Sequence, residues 1–125
     1  MLDTNIYDLI VARPGFAARL ERAVGDGRIE ILRTSVQEDE IARMPDAAKR
    51  AAMQRISGRR IPVSERALGT SGPLPSDDML IAVTAEDEAD VLVTEDKEIQ
   101  ARIEIWRFDR LVRFIDAPAD PAPPP

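Results

Sequence analysis

The chain has 125 residues, a hydrophobic fraction of 44% and a net charge of −6, which suits one globular domain with a single core and argues against wholesale disorder. It contains neither cysteine nor histidine, so disulfides, thiolate metal sites, imidazole general bases and Ser-His or Cys-His nucleophile pairs are excluded. Any chemistry must run on carboxylates, hydroxyls, amides and cations.

"MLD" opens the chain, and a segment this short can be ordered if it is a central strand flanked on both sides. Residues 5–12 are mostly apolar and predict a helix, broken at Pro14-Gly15. In "FAARLERAV" the residues Phe16, Leu20 and Val24 recur on one helical face, with Gly25 and Gly27 as the stop. "IEILRTSV" (29–36) alternates and predicts a strand. A helix is expected from near Gln37, and after Pro45 another runs to Gly58 with Ala48, Ala52 and Ile56 as its inner stripe. "IPV" (61–63) predicts a short strand, and the turn formers of 64–75 a long loop. "SDDMLIAVTAEDEA" is a strong helix with Ser76 as N-cap and Asp77 and Asp78 in its first turn. "DVLVT" (90–94) is an apolar strand, "EDKEIQARI" one or two helical turns, "IEIWRF" (103–108) a strand and "DRLVRFI" (109–115) a closing helix. Trp106 and Phe108 sit in this strand pattern and are expected in the core. The domain is expected to span 1–116. The tail 117–125 holds five of the ten prolines and is expected to be disordered.

Strands that alternate with helices favour a parallel sheet covered on both faces. No charged leader precedes an apolar run, and no stretch approaches the ~20 apolar residues of a membrane span, so a cytoplasmic protein is expected. The charge is uneven. Residues 43–66 carry a net +5 and the remainder −11. Arg43, Lys49, Arg50, Arg55, Arg59 and Arg60 therefore form a candidate band for the phosphates of a polyanion, or simply a solvated face.

Sites in open parallel α/β sheets lie beyond the carboxyl ends of the strands. Asp3 closes the first strand, and Asp96 follows "VLV". Glu40 lies about a turn into the helix after the second strand, and Asp78 in the first turn of the helix before "VLV". Each acid has an ordinary explanation, such as complementing a helix dipole, but one fold would bring all four together. At ~5 Å and an effective dielectric near 20, each like-charged pair costs roughly 3 kcal/mol. Such a cluster is a poor structural device and a good cage for a hard divalent ion, which prefers oxygen ligands.

The residues that carry this argument resemble a known family. "MLDTNIY" has the hydrophobic-Asp-Thr-Asn opening of the PIN domain, the metal-dependent nuclease fold of VapC-type toxins and RNA-processing enzymes. Asp78, Ile81, Ala82 and Ala85 match its Asp-x-x-Ile-Ala-x-x-Ala helix, and Thr94 and Asp96 its apolar-run-Thr-x-Asp element. "SVQEDEI" offers the remaining acid, with Glu40 before Ile41 favoured and Glu38 the substitute; Asp77 is the substitute for Asp78. The resemblance covers the chain to about Phe108 and matches 43–75 only loosely.

It implies an α/β three-layer sandwich with a short central parallel sheet flanked by helices. It implies a Mg²⁺- or Mn²⁺-dependent endoribonuclease in which Asp3, Glu40, Asp78 and Asp96 hold the metal and cleave RNA by metal-activated water. Asn5 and Thr94, and less strongly Thr4, would orient ligands around them. A toxin of this kind would have an antitoxin protein as partner, and the apolar first helix (Ile6, Leu9, Ile10, Val11) could serve a homodimer or the core. A housekeeping RNA-processing nuclease and a catalytically silent binding module are the alternatives. A receiver domain needs an acid pair at the first strand end, and a haloacid-dehalogenase phosphatase needs Asp-x-Asp there. Asn5 fits neither.

Overall fold

The computed structural model describes residues 1–68 and 76–117. Among them the chain forms seven helices and four short strands: α1 (Thr4–Ala12), α2 (Phe16–Gly25), β1 (Leu32–Arg33), α3 (Ser35–Ala42), α4 (Ala47–Gln54), β2 (Arg59–Arg60), α5 (Glu65–Leu68), α6 (Asp77–Glu88), β3 (Val91–Val93), β4 (Glu104–Trp106) and α7 (Phe108–Asp116). The fold is mixed α/β, and all strand pairing is parallel, as the alternation of elements predicts.

The strands make two small sheets. β1 pairs with β2, Leu32 opposite Arg59 and Arg33 opposite Arg60. β3 pairs with β4 from Val91 opposite Glu104 to Val93 opposite Trp106. The first three residues lie along the other edge of β3. The Met1 ammonium donates to the Val91 carbonyl at 2.7 Å, Val93 N–H to Met1 at 2.9 Å and Asp3 N–H to Val93 at 2.9 Å. Terminal position therefore does not leave "MLD" frayed, because β3 satisfies its backbone groups. The Gln37 side-chain amide, buried on α3, donates to the Leu2 carbonyl and ties this segment to the β1 half.

Alternate residues feed clusters on opposite sides, as the two-residue period of extended chain requires. Leu2 and Val93 join Ile6, Tyr7, Ile10, Phe16, Leu20 and Leu111. Met1 and Leu92 instead join Leu32, Ile61, Ile81 and Ala85. The helical stripes explain the cover. Phe16 and Leu20 of α2 are fully buried, and Phe16 meets Phe108 edge-on with centroids 5.5 Å apart. Ile6 and Ile10 of α1 are buried in the same cluster, so that face serves the core.

Several expected boundaries shift. The strand foreseen over 29–36 is only Leu32–Arg33, because Thr34 takes the N-cap position of α3 and Gln37 bonds back to the Thr34 N–H at 2.7 Å. The strand foreseen at 61–63 lies two residues earlier, at Arg59–Arg60, where the partner carbonyls of β1 are. On α4 the buried residue is Met53, followed just beyond the helix by Ile56, while Ala48 is exposed. A helix with so few large apolar residues is seated by its longest side chains. The segment 95–103 is turns and extended chain without a helix, held by the Asp96 carboxylate accepting from Glu98 N–H at 2.9 Å. The stretch 64–75 contains α5; residues 69–75 and the tail 118–125 lie outside the described residues. No described helix is long and apolar enough to cross a membrane.

Candidate functional site

Asp3 follows directly on the residue that pairs with β3, and it caps α1 by accepting from Thr4 N–H at 2.8 Å. It is 5% exposed. Its second oxygen accepts from the fully buried Thr94 hydroxyl at 2.7 Å, and that hydroxyl in turn accepts from Asp96 N–H at 3.0 Å. Thr94 is the residue after β3, so one side chain fixes both the Asp3 carboxylate and the backbone that carries Asp96.

Glu40 reaches the same region from α3. It is half-buried and accepts from the Thr4 hydroxyl at 3.2 Å. Burial holds its carboxyl above the usual range against that hydrogen bond, and the charges of Asp77, Asp3 and Asp78 push it further in the same direction. Asp78, in the first turn of α6, is likewise raised by burial and then by Asp3, Asp96 and Asp77. Acids from separate segments of the chain thus act on both Glu40 and Asp78. None of Asp3, Glu40, Asp77, Asp78 and Asp96 is ion-paired among the described residues. Asp78 and Asp96 also line a cleft of about 410 Å³ between α6 and the segment after β3. A second cleft of about 320 Å³ lies among Ile31, Val91, Trp106 and Phe114, and holds none of these acids.

The choice between neighbouring acids follows from their partners. Glu38 faces the other way and is engaged by Arg33 at 3.3 Å and Arg60 at 3.6 Å, leaving Glu40 as the α3 acid toward Asp3. Asp77 acts on both raised carboxyls and so accompanies Asp78 instead of replacing it. Asn5 is exposed, with no side-chain hydrogen bond among the described residues. Thr4, less favoured than Asn5 from the sequence as an orienting residue, is the one whose hydroxyl contacts Glu40. The usable signal was position: the first residue of a helix capped by Asp3 must lie beside that carboxylate.

The donor chemistry of this set fits a hard divalent ion: oxygen ligands only, with no ion pair to neutralise them among the described residues. As the side chains stand, however, no three or more acidic groups among the described residues are close enough together to hold one ion directly. The basic band is largely consumed elsewhere. Lys49 pairs with Asp8, Arg59 with Glu30, and Arg60 with Glu38. Arg50 donates to the Met44 carbonyl at 2.7 Å. Arg43 and Arg55 are exposed and have no ion pair among the described residues.

No protein-family model matches the sequence, and no curated protein or solved structure matches the chain.

Proposed function

We propose that the chain is a divalent-metal-dependent endoribonuclease of the PIN type, with Asp3, Glu40, Asp78 and Asp96 as its catalytic acids. The observation that supports this most is that the Glu40 and Asp78 carboxyls, raised first by burial, are raised further by acids from separate elements, with no ion pair to any of these acids among the described residues. Selection for stability alone disfavours such a cluster, since exposed acids could be dispersed at no cost to the core. The finer architecture we infer is the three-layer sandwich of that family, its central sheet made of the two parallel pairs and the N-terminal segment.

In this reading Asp3, Glu40, Asp78 and Asp96 would hold Mg²⁺ or Mn²⁺, directly or through water. A bound ion of that kind activates water and neutralises charge developing on a phosphodiester. The chain's own residues do the positioning. Thr94 holds the Asp3 carboxylate in place through its hydroxyl, and Thr4, next to Asp3 in the chain, holds Glu40 through its own. Asp77 adds negative charge that strengthens cation uptake. Arg43 and Arg55, unpaired and exposed, remain for the phosphates of an RNA, while the other basic residues are occupied. An RNA with single-stranded or loop regions is the proposed substrate, and an antitoxin protein the proposed partner.

The test is Mn²⁺-dependent cleavage of structured RNAs by the parent and by Asp3→Asn, which keeps the helix cap and the shape but removes the charge. The variant is expected to fold and to lose cleavage. Equal cleavage by both would place the activity elsewhere. A second reading, a PIN-like module without catalysis, is favoured by the spacing of the acids, no three of which stand close enough to share an ion. It predicts no cleavage by either protein.

A further inference from the structure

The cleft beside Asp78 and Asp96 is chemically two-sided. One wall is apolar. Met79, Ala82 and Val83 lie at helical spacing on one face of α6, and Ile99 closes it from the segment after β3. Ile99 is anchored, since it is partly buried and packs against the cluster that contains Ile81, Ala85 and Leu92. Met79 is 40% exposed, one of three exposed large hydrophobics among the described residues. The rest of the lining is polar. Within it Glu98 and Gln100 present exposed side chains that have no hydrogen-bond partner among the described residues. The Glu98 carboxylate can only accept, whereas the Gln100 amide both donates and accepts.

We infer that this cleft receives one base of the RNA next to the cleaved phosphate, and that it favours bases carrying an exocyclic amino group. This rests on the nuclease reading, because Asp78 and Asp96 belong to both the cleft and the acidic set. The volume of about 410 Å³ takes a single nucleotide and excludes a duplex. The planar face of the base lies against Met79 and Ile99, and a polarisable thioether adapts to any ring. Its edge meets Glu98, which accepts from the amino group of adenine, cytosine or guanine, while Gln100 satisfies the adjoining carbonyl or ring nitrogen. Uracil, with two carbonyls flanking one N–H, offers the carboxylate less and turns a carbonyl toward it.

The cleft and the nuclease reading are tested separately. The full chain labelled with methyl-¹³C methionine is titrated with millimolar adenosine, cytidine, guanosine and uridine, nucleosides that carry no phosphate and so need no metal. The chain has four methionines, and Met79 is the exposed one, its methyl assigned with a Met79→Leu variant. Its signal is expected to move with the first three nucleosides and less with uridine, while the fully buried Met53 stays in place. In the Mn²⁺ cleavage assay, amino-bearing bases at the cut are expected to be preferred by roughly tenfold. Glu98→Gln should erase much of that preference and leave the Mn²⁺-induced rise in Tm unchanged. A Met79 methyl unmoved by all four nucleosides overturns the proposal, as does a base preference untouched by Glu98→Gln. Absence of Mn²⁺-dependent cleavage overturns the nuclease reading instead, and the nucleoside titration still decides whether the cleft takes a base.

Discussion

Glu40 shows how one side chain can work against the fold that holds it. Its carboxyl lies above its ordinary value of 4.5 because burial and then Asp77, Asp3 and Asp78 disfavour the charge. The native state therefore binds more protons than the unfolded chain between that value and the raised one. Stability then falls as pH rises through the window, and the full penalty is present at neutral pH. Asp78 acts in the same sense. Glu86 and Asp87, held low by Arg66 and Ser64 respectively, act oppositely, and their contribution is lost only as pH falls below the ordinary carboxylate values. Glu40→Gln, which still accepts from Thr4, is expected to raise the metal-free Tm at pH 7. The gain should shrink toward pH 4.5, as melts across that range would measure. Tyr7 tests a different residue-scale cost. Its hydroxyl is buried without a hydrogen-bond partner among the described residues, and burial pushes its pKa up to about 12. Tyr7→Phe is expected to leave the urea midpoint unchanged or raise it, since no protein hydrogen bond is lost.

At the scale of elements, local chemistry sets the ends and packing sets the lengths. α2 ends because Gly27 adopts a left-handed φ of 75°. That lets Arg28 N–H reach the Ala23 carbonyl at 3.0 Å and Gly27 N–H the Val24 carbonyl at 3.1 Å, a Schellman closure. Nothing lies within 4 Å of a Cβ added there, so Gly27→Ala should cost only the backbone term, about 1–2 kcal/mol by urea titration. The same logic made α2, α6 and α7 legible: each has a strong apolar stripe or a cap in the expected place, Ser76 accepting from Met79 N–H at 3.2 Å among them. β1 and β2 were legible only as extended chain. Two-residue strands have no period, and their register is decided by the partner's carbonyls. The Ala-rich α4 gave a false inner stripe because small residues mark no face.

For the whole molecule, stability and activity are expected to meet at the acidic set. An ion that binds only the folded chain stabilises it by about 1.4 kcal/mol at tenfold excess over its Kd. For 125 residues that corresponds to a rise in Tm of roughly 5 °C. Mn²⁺ in millimolar amounts should produce that shift in the parent and much less in Asp3→Asn, as thermal melts with and without the ion would show. An unchanged Tm in the parent would remove the main support for a metal site. The ion pairs that consume Lys49, Arg59, Arg60 and Arg66 tie distant elements together. They leave little of the basic band for RNA, so cleavage should depend on salt less steeply than the whole band would dictate if it were free.

Composition alone removed cysteine and histidine chemistry, and the pattern of residues placed the long helices, the apolar strand before Thr94 and the order of the acids. Those features are local: caps, periods and residue types are written in neighbouring positions. Tertiary structure decided which acids share an environment, that Glu38 is spent on two arginines while Glu40 is not, that Thr4 serves Glu40, and that an apolar wall stands beside Asp78. Each of these depends on distances between segments far apart in the chain, and through-space charge and hydrogen bonding exist only once the fold has set those distances.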